Sequence, residues 1–373
     1  MSVLIWCQHL LGTGHLRRAL AVAGALAARS VAVTLVTGGP PARFAEPEGV
    51  RVVQLPPVHA QAGDFTDLRQ ADGRSWDDRA RRERAAVLLD LADRLRPDVL
   101  VTEMFPFGRR AFRAELLPLL DKVRSRGGRI ACSVRDVLVD KPDPGKLLAM
   151  RDLALAWYDC ILVHGDPDFL PFAATFPHAD ALAGRLVHTG FVLDRPVTPA
   201  AMRSGVLISA GGGRVGRDLL QVAASARVHS SLAGEPWHII GGAALSETDQ
   251  CLLREKLGPN GRVDRHLDDL PERLANCRVS VSQAGYNTVA EALMGAAGMV
   301  LVPFADGGES EQPRRARRLA DLGRAVTLTA DGLGSADLAA AIERADRQDR
   351  RIGCNWSFDG ATVSARLIQE LHA

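Results

Sequence analysis

The chain has 373 residues, 47% of them hydrophobic and 24% charged, which suits two ordinary globular domains better than one core. Net charge is only +2, which gives no reason to expect a nucleic-acid partner. Only four of the 46 basic residues are lysines (Lys122, Lys141, Lys146, Lys256), so the arginine excess reads as compositional bias and not as a mark of anion binding.

In chain order, Val3–Cys7 reads as a buried strand, Gln8–His15 as a glycine-containing loop and Leu16–Ala28 as a helix. Strands follow at Val31–Val36 and Val50–Leu55. The polar stretch 56–78 reads as a long surface loop, and Arg79–Leu95 as an amphipathic helix that stops before Pro97. Val99–Thr102, Ile130–Ser133 and Ile161–Val163 are further apolar strands with helical stretches between them. Thr189–Ser204, with Pro196 and Pro199, reads as a linker. The alternation then restarts: strands at Val206–Ser209, His238–Ile240, Val263–Leu267, Val279–Ser282 and Met299–Val302, helices at Asp218–Leu232, Tyr286–Met294 and Arg314–Leu322, and a short final helix over Gly360–His372.

Strands that are apolar throughout and alternate with helices indicate parallel sheets covered on both faces. Two such halves predict an α/β protein of two doubly wound, Rossmann-like domains, 1–195 and 196–373, with the last helix free to pack back on the first. Ligands are expected beyond the carboxyl ends of the strands, in a cleft that the halves face. The six cysteines show no CxxC spacing and read as buried thiols in a reducing compartment. The N-terminus lacks the pattern of a signal peptide, and no apolar run reaches about 18 residues. A cytoplasmic protein is expected, with peripheral membrane contact left open.

Four segments carry chemistry-bearing residues at predicted strand ends. Gly12-Thr13-Gly14-His15 follows the first strand. Its glycines let a ligand approach the backbone, and His15 has the near-neutral titration that suits a general base, with a capped tight turn as the plainer reading. Gly211-Gly212-Gly213-Arg214 opens the second half, where consecutive glycines favour close approach of a diphosphate, although the spacing is not the dinucleotide fingerprint. Gly285-Tyr286-Asn287-Thr288 leads into a helix whose free amides suit a phosphate. One turn in, Glu291 either holds a ribose or completes a capping box with Thr288. Val302-Pro303-Phe304 leads to Glu311-Gln312, which either bind sugar hydroxyls or form a solvated helix start.

Together these segments resemble glycosyltransferase family 28, which includes the peptidoglycan N-acetylglucosaminyltransferase. The resemblance is strongest over 205–323. Gly12-Thr13-Gly14-His15 is shorter than the family's doubled-glycine loop, and Glu311 stands where the family often has Gln. The N-terminal half is more similar to an uncharacterised bacterial group of predicted glycosyltransferases, through 103–110, 132–136 and 163–167. The resemblance implies a GT-B enzyme that takes a sugar from a UDP-sugar, less readily a dTDP-sugar, and passes it with inversion to a hydroxyl acceptor not identified by the sequence. It implies donor contacts at Gly211–Gly213, Arg214, Leu267 (the base), Gly285, Asn287, Thr288, Glu291, Glu311 and Gln312. On the acceptor side it points to Gly12, Thr13, Gly14, Phe107 and Arg135. His15 or Glu103 would be the base, Glu103 having a buried ion pair with Arg109 or Arg135 as its other reading. No cofactor or metal is called for. A nucleotide-sugar hydrolase or epimerase on the same fold, the former also resembled by 12–18, and a non-catalytic nucleotide-sugar-binding module are the alternatives.

Overall fold

A computed structural model describes residues 1–42, 44–61, 64–140, 143–194, 197–198, 201–210, 214–242, 245–295, 297–305, 308–348 and 355–372, the side chains at 64–66 and 214–215 excepted. The chain forms two compact units, Met1–Arg195 with Trp356–Ala373, and Pro196–Asn355. The second unit therefore ends at Asn355, not at Ala373.

In the first unit the strands are β1 (Ser2–Cys7), β2 (Ala32–Thr37), β3 (Val50–Gln54), β4 (Val58–Gln61), β5 (Asp64–Gln70), β6 (Val99–Glu103), β7 (Arg129–Arg135), β8 (Cys160–His164) and β9 (Leu186–His188). Seven of them make one sheet in the order β3-β2-β1-β6-β7-β8-β9, all paired in parallel. The order reverses between β1 and β6, and such a switch point leaves a crevice at the carboxyl edge. Helices α1 (Gly14–Ala27), α2 (Asp78–Leu95), α3 (Arg113–Ser125) and α4 (Pro144–Trp157) cover the faces.

Alternation along the strands explains both cores. Leu4, Trp6, Leu100, Ile130, Cys132 and Val134 face the layer of α2 and α3. Val3, Ile5, Cys7, Val99, Val101, Ala131 and Leu162 face α1 and the last helix, α11 (Gly360–Glu370), through Leu16, Leu20, Ala365 and Ile368.

Two stretches differ from the sequence expectation. The expected loop 56–78 contains the antiparallel pair β4–β5, because Val58, Ala60 and Leu68 alternate inward and Trp76 closes over them. The start of the expected linker is part of the first unit. The Phe191 N–H donates to the Ser357 carbonyl (2.8 Å), and the Phe191 ring stacks on Phe358, which ties the C-terminal segment down.

The second unit runs β10 (Val206–Ser209), α5 (Arg214–Ala226), β11 (Trp237–Ile240), α6 (Glu247–Leu257), β12 (Gly261–Asp264), α7 (Leu270–Asn276), β13 (Val279–Ser282), α8 (Tyr286–Gly295), β14 (Gly298–Leu301), α9 (Glu311–Asp321), β15 (Val326–Thr327) and α10 (Ser335–Arg347). Its parallel order, β12-β11-β10-β13-β14-β15, reverses between β10 and β13. β12 ends at Asp264, so Leu267 lies in the following loop and not at a strand end.

Gly298 starts β14 hard against α10. A Cβ there would stand 2.5 Å from the Ala345 carbonyl oxygen, and backbone cannot step aside as a side chain can. Gly298→Val is expected to destabilise the second unit by about 1–3 kcal/mol, read as a lowered unfolding midpoint in urea.

Candidate active site

On the α1 face of the first sheet, three strands end in polar residues. Alternation runs Val99-Val101-Glu103 on β6, Ala131-Ser133 on β7 and Cys160-Leu162-His164 on β8, so all three polar side chains emerge on one side at the carboxyl edge. α1 begins on the same side, with Gly14 as its first residue and His15 as its second. Gly12 and Thr13 form the bend before it. A Cβ at Gly12 would meet nothing within 4 Å, so that position faces open space, and Thr13 sits at the helix N-cap without a side-chain cap bond.

His15 Nδ1 lies 2.9 Å from Glu103 Oε1. Glu103 is fully buried and also accepts from Arg18 Nη2 and Ser133 Oγ. Burial opposes its ionisation, but the Arg18 charge and the His15 hydrogen bond outweigh that and hold the carboxyl below the ordinary range. Nδ1 faces the Glu103 carboxylate, which only accepts, at 2.9 Å and Arg18 Nη2, which only donates, at 3.1 Å; the shorter contact to the ionised carboxylate favours the proton on Nδ1. Nε2 then carries the lone pair. Burial first, then the Arg109 charge, and further Arg135 and Arg18, hold the His15 pKa well below 6.5 against the pull of Glu103, so the ring is neutral at pH 7. The arrangement can take one proton at Nε2 and stabilise the resulting imidazolium from behind.

Among the described residues Glu103 pairs with Arg18 and His15, not with Arg109 or Arg135. Fully buried and held by three donors, it is an orienting acceptor for His15 and not itself an exposed base. Arg109 follows a sharp turn with left-handed backbone at Met104 and at Arg109 itself, and its Nε donates to the Gln8 carbonyl (2.6 Å). Arg135 ends β7, where its charge reaches His15. Phe107 is a correction: it is buried edge-on between Phe172 and Phe176, at 5.3 and 5.1 Å, and is core rather than an acceptor contact.

In the second unit, Gly285 precedes α8 directly, and the Val289 N–H already donates to its carbonyl (3.0 Å). Asn287 and Thr288 therefore lie within the first turn. Thr288 is inside the helix and not at its cap, which removes the capping box with Glu291. Glu291 is buried one turn further along. Glu311 is also buried and pairs with the fully buried Arg315 (2.9 Å), whose Nη1 donates to the Ala284 carbonyl (2.7 Å). That pair ties the start of α9 to the turn before α8, so the carboxylate is engaged structurally and Glu311 is not a solvated helix start. Gln312 Oε1 accepts from the Phe304 N–H (3.1 Å) and holds the end of the Val302-Pro303-Phe304 segment. Gly211, Gly212 and Gly213 and the side chain of Arg214 lie outside the described residues.

The sequence reading missed Arg18, Ser133 and His164. Their signal was parity: each sits two residues beyond an inward apolar residue, or one helical turn from His15, on the face that Glu103 shares. Cys7, Cys132 and Cys160 are buried free thiols, Cys277 is buried with its Sγ on the Leu274 carbonyl (3.3 Å), Cys251 is free and exposed, and Cys354 lies outside the described residues. Among the described residues no helix is long and apolar enough to cross a membrane.

Residues 207–353 match the model of the glycosyltransferase family 28 C-terminal domain. Over that segment the chain is similar to the family 28 domain. Curated relatives agree. The UDP-N-acetylglucosamine--N-acetylmuramyl-(pentapeptide) pyrophosphoryl-undecaprenol N-acetylglucosamine transferase of Chromobacterium violaceum is 29% identical over 234 residues, 56% of this chain and 63% of that one. The corresponding transferase of Symbiobacterium thermophilum is 30% identical over 44% of this chain and 46% of its own. The alignments thus span less than two thirds of these relatives. Solved structures extend the likeness over nearly the whole chain. The calicheamicin glycosyltransferase CalG4 aligns over 99% of this chain and 97% of its own with a TM-score of 0.64 at 18% identity. MurG of Acinetobacter baumannii aligns over 99% and 100% with 0.61 at 16%. The fold is GT-B, two Rossmann-like sheets in one chain.

Proposed function

We propose that the protein is an inverting glycosyltransferase, moving a sugar from a UDP-sugar to the hydroxyl of an acceptor served by the first unit. The observation that carries this is the His15–Glu103 pair at the β1/β6 switch point, which leaves Nε2 as the basic nitrogen. In this reading the acceptor hydroxyl gives its proton to Nε2 as its oxygen bonds the anomeric carbon. The bond from that carbon to the diphosphate oxygen breaks, and UDP leaves. Attack from the face opposite the leaving group inverts the carbon.

The second unit would hold the donor. The main-chain N–H groups of the first turn of α8, after Gly285, suit the diphosphate, and a carboxylate at Glu291 suits the two ribose hydroxyls. Leu267 would border the base, and Gln312 would keep its amide N–H₂ for the sugar. The diphosphate's charge would be met by main-chain amides, with no resident metal or cofactor assigned a role. The family 28 match over 207–353 supports the donor class.

The test is donor binding by calorimetry against UDP- and dTDP-sugars, followed by nucleotide release with and without a cell extract that supplies the acceptor. Release that needs the extract is expected. Rapid release without it would mean a hydrolase, binding without release a non-catalytic module, and no binding would overturn the reading. Glu291→Ala is expected to weaken UDP-sugar binding by about tenfold or more, the loss of a charged hydrogen-bond pair, with the unfolding midpoint measured alongside to separate binding from folding.

A further inference from the structure

The Ser133 contact to Glu103 is the end of a longer line of polar groups that the scheme above does not use. Ser133 Oγ lies 2.8 Å from His164 Nε2, and His164 Nδ1 lies 2.9 Å from Thr189 Oγ1. The four residues sit at the carboxyl ends of adjacent strands β6, β7, β8 and β9, Thr189 directly after the last. Ser133, His164 and Thr189 are all buried, at 5%, 0% and 2% exposure, so these bonds are shielded from bulk solvent.

One direction of donation carries the line unbroken from Thr189 to Glu103. If His164 carried its proton on Nδ1, the single hydroxyl proton of Ser133 would face two acceptors, Glu103 Oε2 and His164 Nε2. With the proton on Nε2, His164 donates to Ser133, Ser133 donates to Glu103, and the Thr189 hydroxyl donates to Nδ1 in preference to the longer contacts with the Gly190 and Val163 carbonyls at 3.1 and 3.3 Å. Each bond then polarises the next toward the carboxylate. Burial, and after it the Arg18 charge, push the His164 pKa down to about 3, so the ring stays neutral across the working pH range.

We infer that Thr189, His164 and Ser133 are positioning residues, a directed hydrogen-bond chain that fixes Glu103 and moderates its basicity toward His15. A carboxylate that loses one of its three donors becomes a stronger acceptor, stabilises the His15 imidazolium more and raises the His15 pKa. The other charged groups facing His15 keep their places: Arg18 on α1, Arg109 after β6 and Arg135 on β7. The consequence for turnover rests on His15 being the base, whereas the consequence for its pKa does not.

The test is histidine NMR of the full chain, with the His15 ring signal assigned by its loss in His15→Gln. Ser133→Ala is expected to raise the His15 pKa by about 0.5–1 unit, His164→Leu to raise it in the same direction, and His164→Gln, whose amide N–H₂ reaches toward Ser133, to restore it. Thr189→Val gives a smaller rise and guards against a His164→Leu chain that does not fold. An unchanged His15 pKa in folded Ser133→Ala overturns the inference, as does an unrestored one in His164→Gln. A pKa that moves while the acid limb of donor consumption stays fixed upholds the chain and removes His15 as the base.

Discussion

His15→Ala is expected to lower turnover with donor and acceptor by about 10²–10⁴-fold, the range for loss of a general base, with donor affinity unchanged. The proposed donor-binding segments belong to the other unit, so calorimetry against the UDP-sugar should return the wild-type enthalpy and affinity. The substitution is also mild for the fold. Glu103 keeps Arg18 and Ser133 as donors, so no buried charge is stranded, and the His15 side chain is 13% exposed. The pH profile separates this role from a structural one. Only neutral His15 accepts a proton, and burial with the Arg109, Arg135 and Arg18 charges holds its pKa well below 6.5. The wild-type acid limb of kcat/KM should therefore fall at a pH below 6.5, with activity flat above it, and the limb should vanish in His15→Ala. A limb at or above 6.5, or one that survives the substitution, would assign the base elsewhere.

Much of this site was legible because sheet alternation and strand-end position are written in the sequence. Val99-Leu100-Val101-Thr102-Glu103 places a carboxylate at the end of a buried strand, and a charge there needs a partner whatever the family. The identity of that partner was not legible. Arg109 and Arg135 are near Glu103 in sequence or motif, but Arg18 reaches it because α1 lies across β6, a contact 85 residues apart that only the crossover geometry creates. His164 and Ser133 were visible as members of strand-end motifs, yet the chain they form needs the order β6-β7-β8 and a shared parity. Phe107 was misread for the opposite reason. An aromatic beside a strand end looks like a ligand contact until Phe172 and Phe176, from a later segment, close over it. At Glu291 the Thr-x-x-Glu spacing allowed a capping box, and only the true start of α8 at Tyr286 sets Thr288 inside the helix.

A third buried ion pair lies away from both sites. Arg84 on α2, 1% exposed, meets Glu115 on α3 at 2.9 Å, and Trp6 Nε1 donates to the same carboxylate at 3.1 Å. Arg84 also donates to the carbonyls of Gly38 and Pro56, both at 3.1 Å, and to Gln8 Oε1 at 2.5 Å, and its guanidinium lies over Phe112 at 5.1 Å. One side chain thus clamps the loops that leave β1 and β2 to the helices beneath them. A Cβ at Gly38 would collide with that guanidinium, which is why glycine stands there. Arg84→Met removes the charge and strands Glu115, and is expected to cost about 3–5 kcal/mol, the range for breaking a buried pair from one side. The penalty should depend on pH. Burial already raises the Glu115 pKa with Arg84 present, and without Arg84 it rises further. A carboxyl whose folded pKa lies above its unfolded value favours the folded state below that pKa and loses this as pH rises through it. The Arg84→Met deficit in urea unfolding should therefore be full at pH 7 and shrink toward pH 5. Adding Glu115→Leu removes the stranded charge, so the double variant should regain most of the loss and show little pH dependence over that span. The unpaired carbonyls of Gly38 and Pro56 and the Trp6 N–H keep it short of the wild type. A single variant as stable as the wild type at pH 7 would mean that the pair contributes nothing net, and a double variant no better than the single would mean that the clamp on the β1 and β2 loops, not the charge, carries the cost.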